Sequence, residues 1–332
     1  MIEKYYDGAI EQVAAGLGTV EKNHLLVRYS GQFSVENLND TKQLEKNEDI
    51  FVQVHEFETG EITCAYEPYL TMICDGFRRY MTGTFEEFME TCDVYYLHRP
   101  VLLGYFNQDN TGREEIILLD EVAYEQERML AALERMLCAI ADRHPVLFVL
   151  NRFQLASKST MQLTARFLKC ENCNIGLVLG VSDIQAMPEF LVPDWEMLYE
   201  TLDDGSKIYH IGNSGRKKEE TIDDEKYVDY GSEKVYRKLQ NMVEFLDFDQ
   251  AAYYLETIER KIKFDNLLVD DAARFRMWLL FVKVSILRQD IPKALEICED
   301  LEKIHLAGKE EECAYEQDYL IATAYMYQGK LK

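Results

Sequence analysis

Two short stretches of this chain carry residues whose types and spacing could do chemistry. The first is Asn151-Arg152, which closes an unbroken apolar run from Val146 to Leu150. A run with no polar face reads as a strand covered on both sides, and open α/β sheets hold ligands at the carboxyl ends of such strands. An amide and a guanidinium placed there offer hydrogen bonds and positive charge to an anionic group. The competing reading of Arg152 is an ordinary surface arginine at a strand end. Two further apolar runs also pass into small or polar residues: Leu25–Tyr29 is followed by Gly31 and Ser34, and Ile175–Val181 by Asp183.

The second stretch is Cys170-Glu-Asn-Cys173. Zinc needs two ligands more than a lone C-x-x-C supplies. A redox pair is best placed at a helix N-terminus, where thiolate is stabilised, whereas this one follows a helical pattern. The expectation is two ordinary thiols in a turn. The six histidines are dispersed with no H-E-x-x-H pattern, and no G-x-S-x-G elbow occurs. The acidic runs Asp203-Asp204 and Asp223-Asp224-Glu225 lack the glycine and spacing of a calcium loop, and read as solvated surface.

The elements that must position these residues alternate. Helical patterns cover Tyr5–Leu17, Phe33–Leu44, Glu67–Tyr80, Thr84–Leu97, Asp120–Arg143 and Ser159–Lys169, with Thr84 and Glu87 spaced as a capping box. Strand patterns cover His24–Tyr29, Ile50–Glu56, Val146–Leu150, Ile175–Val181 and Lys207–Ile211. Strands alternating with helices predict a doubly wound α/β domain with a mainly parallel sheet over residues 1–212. The polar, glycine-containing stretch 213–231 reads as a linker, and 232–332 reads as all helix.

Within 232–332 one pattern recurs at Phe245–Leu255, Ile286–Glu296 and Tyr325–Lys332. An apolar helix end, a short polar turn and a new helix opening on an apolar residue repeat at a period of roughly 40 residues. Ala251 and Ala294 fall where a small side chain lets paired helices approach. The pattern resembles a tetratricopeptide-type solenoid. The third copy stops short, and the expectation is that the natural protein continues beyond Lys332.

Net charge is −24, from 60 acidic against 36 basic residues, and 47% of residues are apolar. Such a surface repels phosphate backbones and anionic membranes, so neither nucleic acid nor membrane is an expected partner. The eight cysteines suit reduced thiols in a cytoplasmic protein. The 21 tyrosines, several in adjacent pairs, suit either partner interfaces or helix packing.

By order of elements, residues 1–212 resemble the STAND class of regulatory P-loop ATPases, related to the AAA+ type. The apolar run ending at Asn151-Arg152 is similar to their Walker B strand, which ends in acidic residues that hold Mg²⁺. Ala65–Leu70 is similar to the segment opening their insert helices, and Val181-Ser182-Asp183 ends the strand that would carry the sensor residue. The resemblance places the phosphate loop at Leu25–Glu36, yet Gly31 is followed by Gln-Phe-Ser with no lysine, and no Gly-Lys-Ser or Gly-Lys-Thr occurs in the chain.

The resemblance therefore implies a P-loop-type α/β domain without the chemistry: a pseudo-ATPase with no cofactor, coupled to helical repeats that bind a protein partner, in a cytoplasmic, bacterial-type signalling protein. Output would then lie in a domain beyond Lys332. Gly31, Ser34, Asn151, Arg152 and Asp183 mark the degenerate nucleotide site. One alternative is a divergent ATPase that binds ATP or GTP through backbone around Ser30–Ser34, with Asp183 standing in for the missing carboxylates. Another is a pure scaffold, with a closed, side-chain-filled crevice at the strand ends.

Overall fold

The computed structural model describes residues 2–19, 24–29, 33–35, 38–46, 49–58, 60–109, 121–170, 173–182, 187–203, 207–211, 228–304 and 310–329. The chain forms two compact units, one of Met1–Thr111 with Arg128–Lys226, the other of Gly112–Glu127 with Tyr227–Lys332. Most of the stretch read as a linker lies outside the described residues.

The first unit is an α/β domain. Its strands are β1 (Leu25–Tyr29), β2 (Phe51–Glu56), β3 (Val146–Asn151), β4 (Ile175–Ser182) and β5 (Lys207–Ile211). They form one sheet in the order β2-β3-β4-β1-β5, and every neighbouring pair is parallel. Parallel neighbours need long crossovers. Helix α1 (Ile2–Gly16) precedes β1; the crossovers carry α2 (Asn39–Leu44) between β1 and β2, and α3 (Tyr69–Tyr80), α4 (Phe85–Thr91), α5 (Arg99–Asn107) and α6 (Val122–Ala141, its residues up to Glu127 assigned to the second unit) between β2 and β3. Then α7 (Lys158–Lys169) precedes β4 and α8 (Val192–Asp203) precedes β5.

β3 and β4 are buried at every position, as their apolar runs require. Alternate residues of β3 face opposite layers. Leu147 and Val149 join Tyr6, Ile10 and Val13 of α1, with Leu25, Val27 and Val178, in one core. Phe148 points the other way, edge-on to Tyr69 of α3 at 4.8 Å, and Tyr69 meets Phe167 of α7 at 5.4 Å. Each such side chain, fully buried, contributes roughly 1.5–3 kcal/mol.

The capping box forms: Thr84 Oγ accepts from the Glu87 amide, and Glu87 accepts from the Thr84 amide. Three sequence expectations need correction. The helix expected over Phe33–Leu44 is confined to Asn39–Leu44, because Phe33, Ser34 and Val35 are drawn over the sheet ends. The helix opened by Thr84 stops at Thr91, where Asp93 takes a left-handed φ of 52° and Arg135 binds the Cys92 and Asp93 carbonyls. Helices α5 and α8 carry no clear periodic signal and were not expected.

The second unit contains α9 (Glu233–Glu244), α10 (Phe248–Phe264), α11 (Asp271–Leu287), α12 (Ile291–Leu301) and α13 (Glu310–Tyr327). Each packs on the next, and α11 also packs on α9 and α13. Two turns share one backbone design. Leu246 and Gln289 are left-handed at φ 66° and 63°. The next residue bonds back to the preceding helix: Asp247 N–H to the Met242 carbonyl, and Asp290 N–H to the Ser285 carbonyl, both 2.8 Å. Ala251 and Ala294 follow, both fully buried. After α13, Gly329 repeats the left-handed turn at φ 72° and bonds to the Met326 carbonyl at 3.0 Å.

Candidate functional site

The strand order sets β4 between β1 and β3, so the ends of the three strands singled out by sequence lie side by side. Asn151, the last residue of β3, is completely buried. Its Oδ1 accepts from the Tyr29 hydroxyl at the end of β1, at 2.7 Å. Its Nδ2 donates to the Phe33 carbonyl at 3.1 Å. The segment following β1 is thus tied down onto β3 across the end of β4.

Gly180 of β4 makes this bridge possible. A Cβ there would sit 2.6 Å from Asn151 Oδ1 and would also collide with the Tyr6 hydroxyl of α1. Tyr6, Tyr29 and Phe33 fill the remaining space as an aromatic cluster: Phe33 lies 5.4 Å from Tyr6 and edge-on to Tyr29 at 5.7 Å. Burial pushes the Tyr29 hydroxyl up to about 12 and raises Tyr6 well above the ordinary tyrosine range. Both rings therefore stay neutral at physiological pH.

Arg152 follows Asn151 in a left-handed conformation at φ 53°. Its Nε lies 3.4 Å from Glu56 Oε1, at the end of β2. The other oxygen of Glu56 accepts from Ser34 Oγ at 2.8 Å and from the Val35 amide at 3.2 Å. Glu56 therefore collects Arg152, Ser34 and the loop backbone into one partly buried knot. Three of the residues expected at a degenerate nucleotide site, Ser34, Asn151 and Arg152, are brought together. Gly31 and Asp183 lie outside the described residues.

Sequence reasoning missed Tyr6, Tyr29 and Glu56 as members of the site. Glu56 closes an alternating strand as Asn151 closes an apolar one, and that shared position was the available signal. Nothing in the sequence marked Tyr6, which arrives from the helix preceding β1.

Tyr66 and Glu67 are bonded to the start of α7. The Tyr66 amide donates to Ser159 Oγ at 3.0 Å, and Thr160 Oγ1 donates to the Glu67 carbonyl at 2.9 Å. Both hydroxyls belong to the first turn of α7, whose N-cap is Ser157. Tyr66 and Glu67 are thereby held against the first turn of α7.

Away from this edge, the C-x-x-C lies beside a third cysteine. Cys138 of α6, Cys170 at the end of α7 and Cys173 before β4 place their sulfurs within 4.8 Å of one another. The expectation of two ordinary thiols in a turn did not foresee Cys138.

No protein-family model matches this chain, and no curated protein matches it.

Proposed function

We propose that this chain is a non-catalytic regulatory module of a cytoplasmic signalling or transcription-regulatory protein. In this reading a pseudo-ATPase domain of P-loop type is coupled to tetratricopeptide-like repeats that bind a protein partner. The observation that carries it is the commitment of both ends of Asn151 to the protein itself, its oxygen to Tyr29 and its amide to the Phe33 carbonyl. A nucleotide-bound Mg²⁺ needs a charged oxygen turned toward it. Here an uncharged amide is turned inward. The nearby carboxylate of Glu56 is occupied by Arg152, Ser34 and the Val35 amide.

Two observations support the likeness on which the reading rests. The strands that would carry the phosphate loop, the Mg²⁺ acids and the sensor residue are adjacent as β1, β3 and β4. In the helical unit, the turns at Leu246 and Gln289 repeat the same backbone hydrogen bonds. Stacked helix pairs of that kind present extended faces suited to a protein partner.

The test is calorimetric titration of the chain with ATP and GTP, with and without Mg²⁺, alongside thermal unfolding. A ligand present at about 100 times its Kd adds roughly 2.7 kcal/mol to stability. The expected result is no saturable heat and no thermal shift at millimolar nucleotide. Saturable, Mg²⁺-dependent binding would overturn the reading in favour of a divergent ATPase.

A further inference from the structure

We propose that Cys138, Cys170 and Cys173 form a zinc site, three thiolates with the fourth position open to water. The three sulfurs come from separate points of the α/β unit and converge within 4.8 Å. Cys138 projects from the last turns of α6, Cys170 is the C-cap of α7, and Cys173 lies just ahead of β4. Zinc–sulfur bonds of about 2.3 Å at tetrahedral angles set sulfurs about 3.8 Å apart, within the spread found here. Cys173 is buried, while Cys138 and Cys170 are partly exposed.

The same geometry argues against a redox pair. A reactive C-x-x-C keeps its nucleophilic cysteine at a helix N-terminus, where the dipole favours thiolate. Cys170 sits instead at the end of α7, where the helix dipole disfavours negative charge. A divalent cation offsets that disfavour, because the thiolates then share a positive centre. Binding releases the thiol protons to solvent and leaves sulfur and zinc oxidation states unchanged.

The position gives the site a structural consequence. Cys173 precedes β4 at its amino end, the edge of the sheet opposite Asn151. There the Val146 amide donates to the Asn174 carbonyl at 3.0 Å, and the Gly18 amide donates to Asn174 Oδ1 at 2.8 Å. A cation at the three sulfurs would tie α6 and α7 to the start of the central strand.

The experiment uses the full chain, reduced and stripped with a chelator, then titrated with Zn²⁺ against a chromogenic competitor. One equivalent per chain is expected. Co²⁺ in place of Zn²⁺ should give sulfur-to-metal charge-transfer absorption and the visible bands of a tetrahedral centre. Loss of an outer partner of a metal ligand already weakens binding about 10–100-fold, so Cys138→Ser should weaken it at least that much. Cys298→Ser, in the other unit, should leave stoichiometry and spectrum unchanged. Should Cys138→Ser fail to fold, alkylation of the wild-type chain supplies the second readout: Zn²⁺ should protect the partly exposed Cys138 and Cys170 and leave Cys64 reactive. Absence of saturable binding by the reduced chain, a cobalt spectrum without sulfur charge transfer, or equal alkylation with and without Zn²⁺ would each overturn the proposal.

Discussion

The Tyr29 hydroxyl donates to Asn151 Oδ1 at 2.7 Å, although the two residues end strands that are not neighbours. The bond passes over β4, and Gly180 leaves the room for it. It occupies the position where the proposed likeness to regulatory ATPases would put a Mg²⁺ ligand.

Tyr29→Phe keeps the ring and removes the donor, leaving a buried amide oxygen short of its partner. The expected cost is about 1–2 kcal/mol. It should be read as a lower urea midpoint with an unchanged slope. A cycle with Asn151→Ala should give a coupling of about 0.5–3 kcal/mol; additive effects would show that the bond contributes nothing.

Gly180→Ala tests the space above β4. The added methyl meets Asn151 Oδ1 at 2.6 Å and the Tyr6 hydroxyl. Overpacking of this kind costs about 1–3 kcal/mol. Pairing it with Tyr6→Phe should recover part of the loss, and no recovery would place the strain elsewhere.

Alkaline pH should weaken the α/β unit through Tyr29. Burial pushes its hydroxyl up to about 12, against about 10 in an unfolded chain. The folded state holds that proton more tightly. The contribution is therefore complete below pH 10 and lost as pH rises from about 10 to about 12, amounting to roughly 2–3 kcal/mol. Urea midpoints measured across that window should fall more steeply for the wild type than for Tyr29→Phe.

In the helical unit, Glu259 of α10 is buried and receives Lys293 of α12 at 2.8 Å and Lys263 at 2.7 Å. Lys293→Ala leaves one oxygen of a buried carboxylate without its cation, at an expected cost of about 2–3 kcal/mol, less than a fully broken pair because Lys263 remains. Replacing Lys293 and Glu259 together by methionine should recover most of it. A double variant as unstable as the single one would refute the argument.

Gln289 is exposed and left-handed at φ 63°, where the third turn carries Gly329. Gln289→Gly should relieve backbone strain of about 1–2 kcal/mol against a smaller entropic cost. A net gain of about 0.5–1 kcal/mol is expected in thermal or urea unfolding. A loss would mean that the Gln289 side chain itself supports the turn.

The α/β character of the first part and the helical character of the second were legible in local pattern. Val146–Leu150 is a short run with no polar face, stopped ahead by Pro145, and so read as a covered strand. The repeat at Ala251 and Ala294 was equally plain, because a small residue after a polar turn is a local constraint on helix approach. Asn151 and Arg152 were found from their place at a strand end. Their partners were not, because Tyr6, Tyr29 and Glu56 lie far away in sequence and reach the site only through parallel crossovers.

The sequence by itself determined that an amide and a guanidinium, poor ligands for Mg²⁺, close the apolar run Val146–Leu150. Only the tertiary structure decided what those residues do instead. The order β2-β3-β4-β1-β5 brings Tyr29 within reach of Asn151 and Glu56 within reach of Arg152. It likewise decided that Cys170 and Cys173 have Cys138 beside them. Periodicity records what one residue asks of its neighbours along the chain. Convergence of side chains across a sheet depends on strand order, which local pattern leaves open.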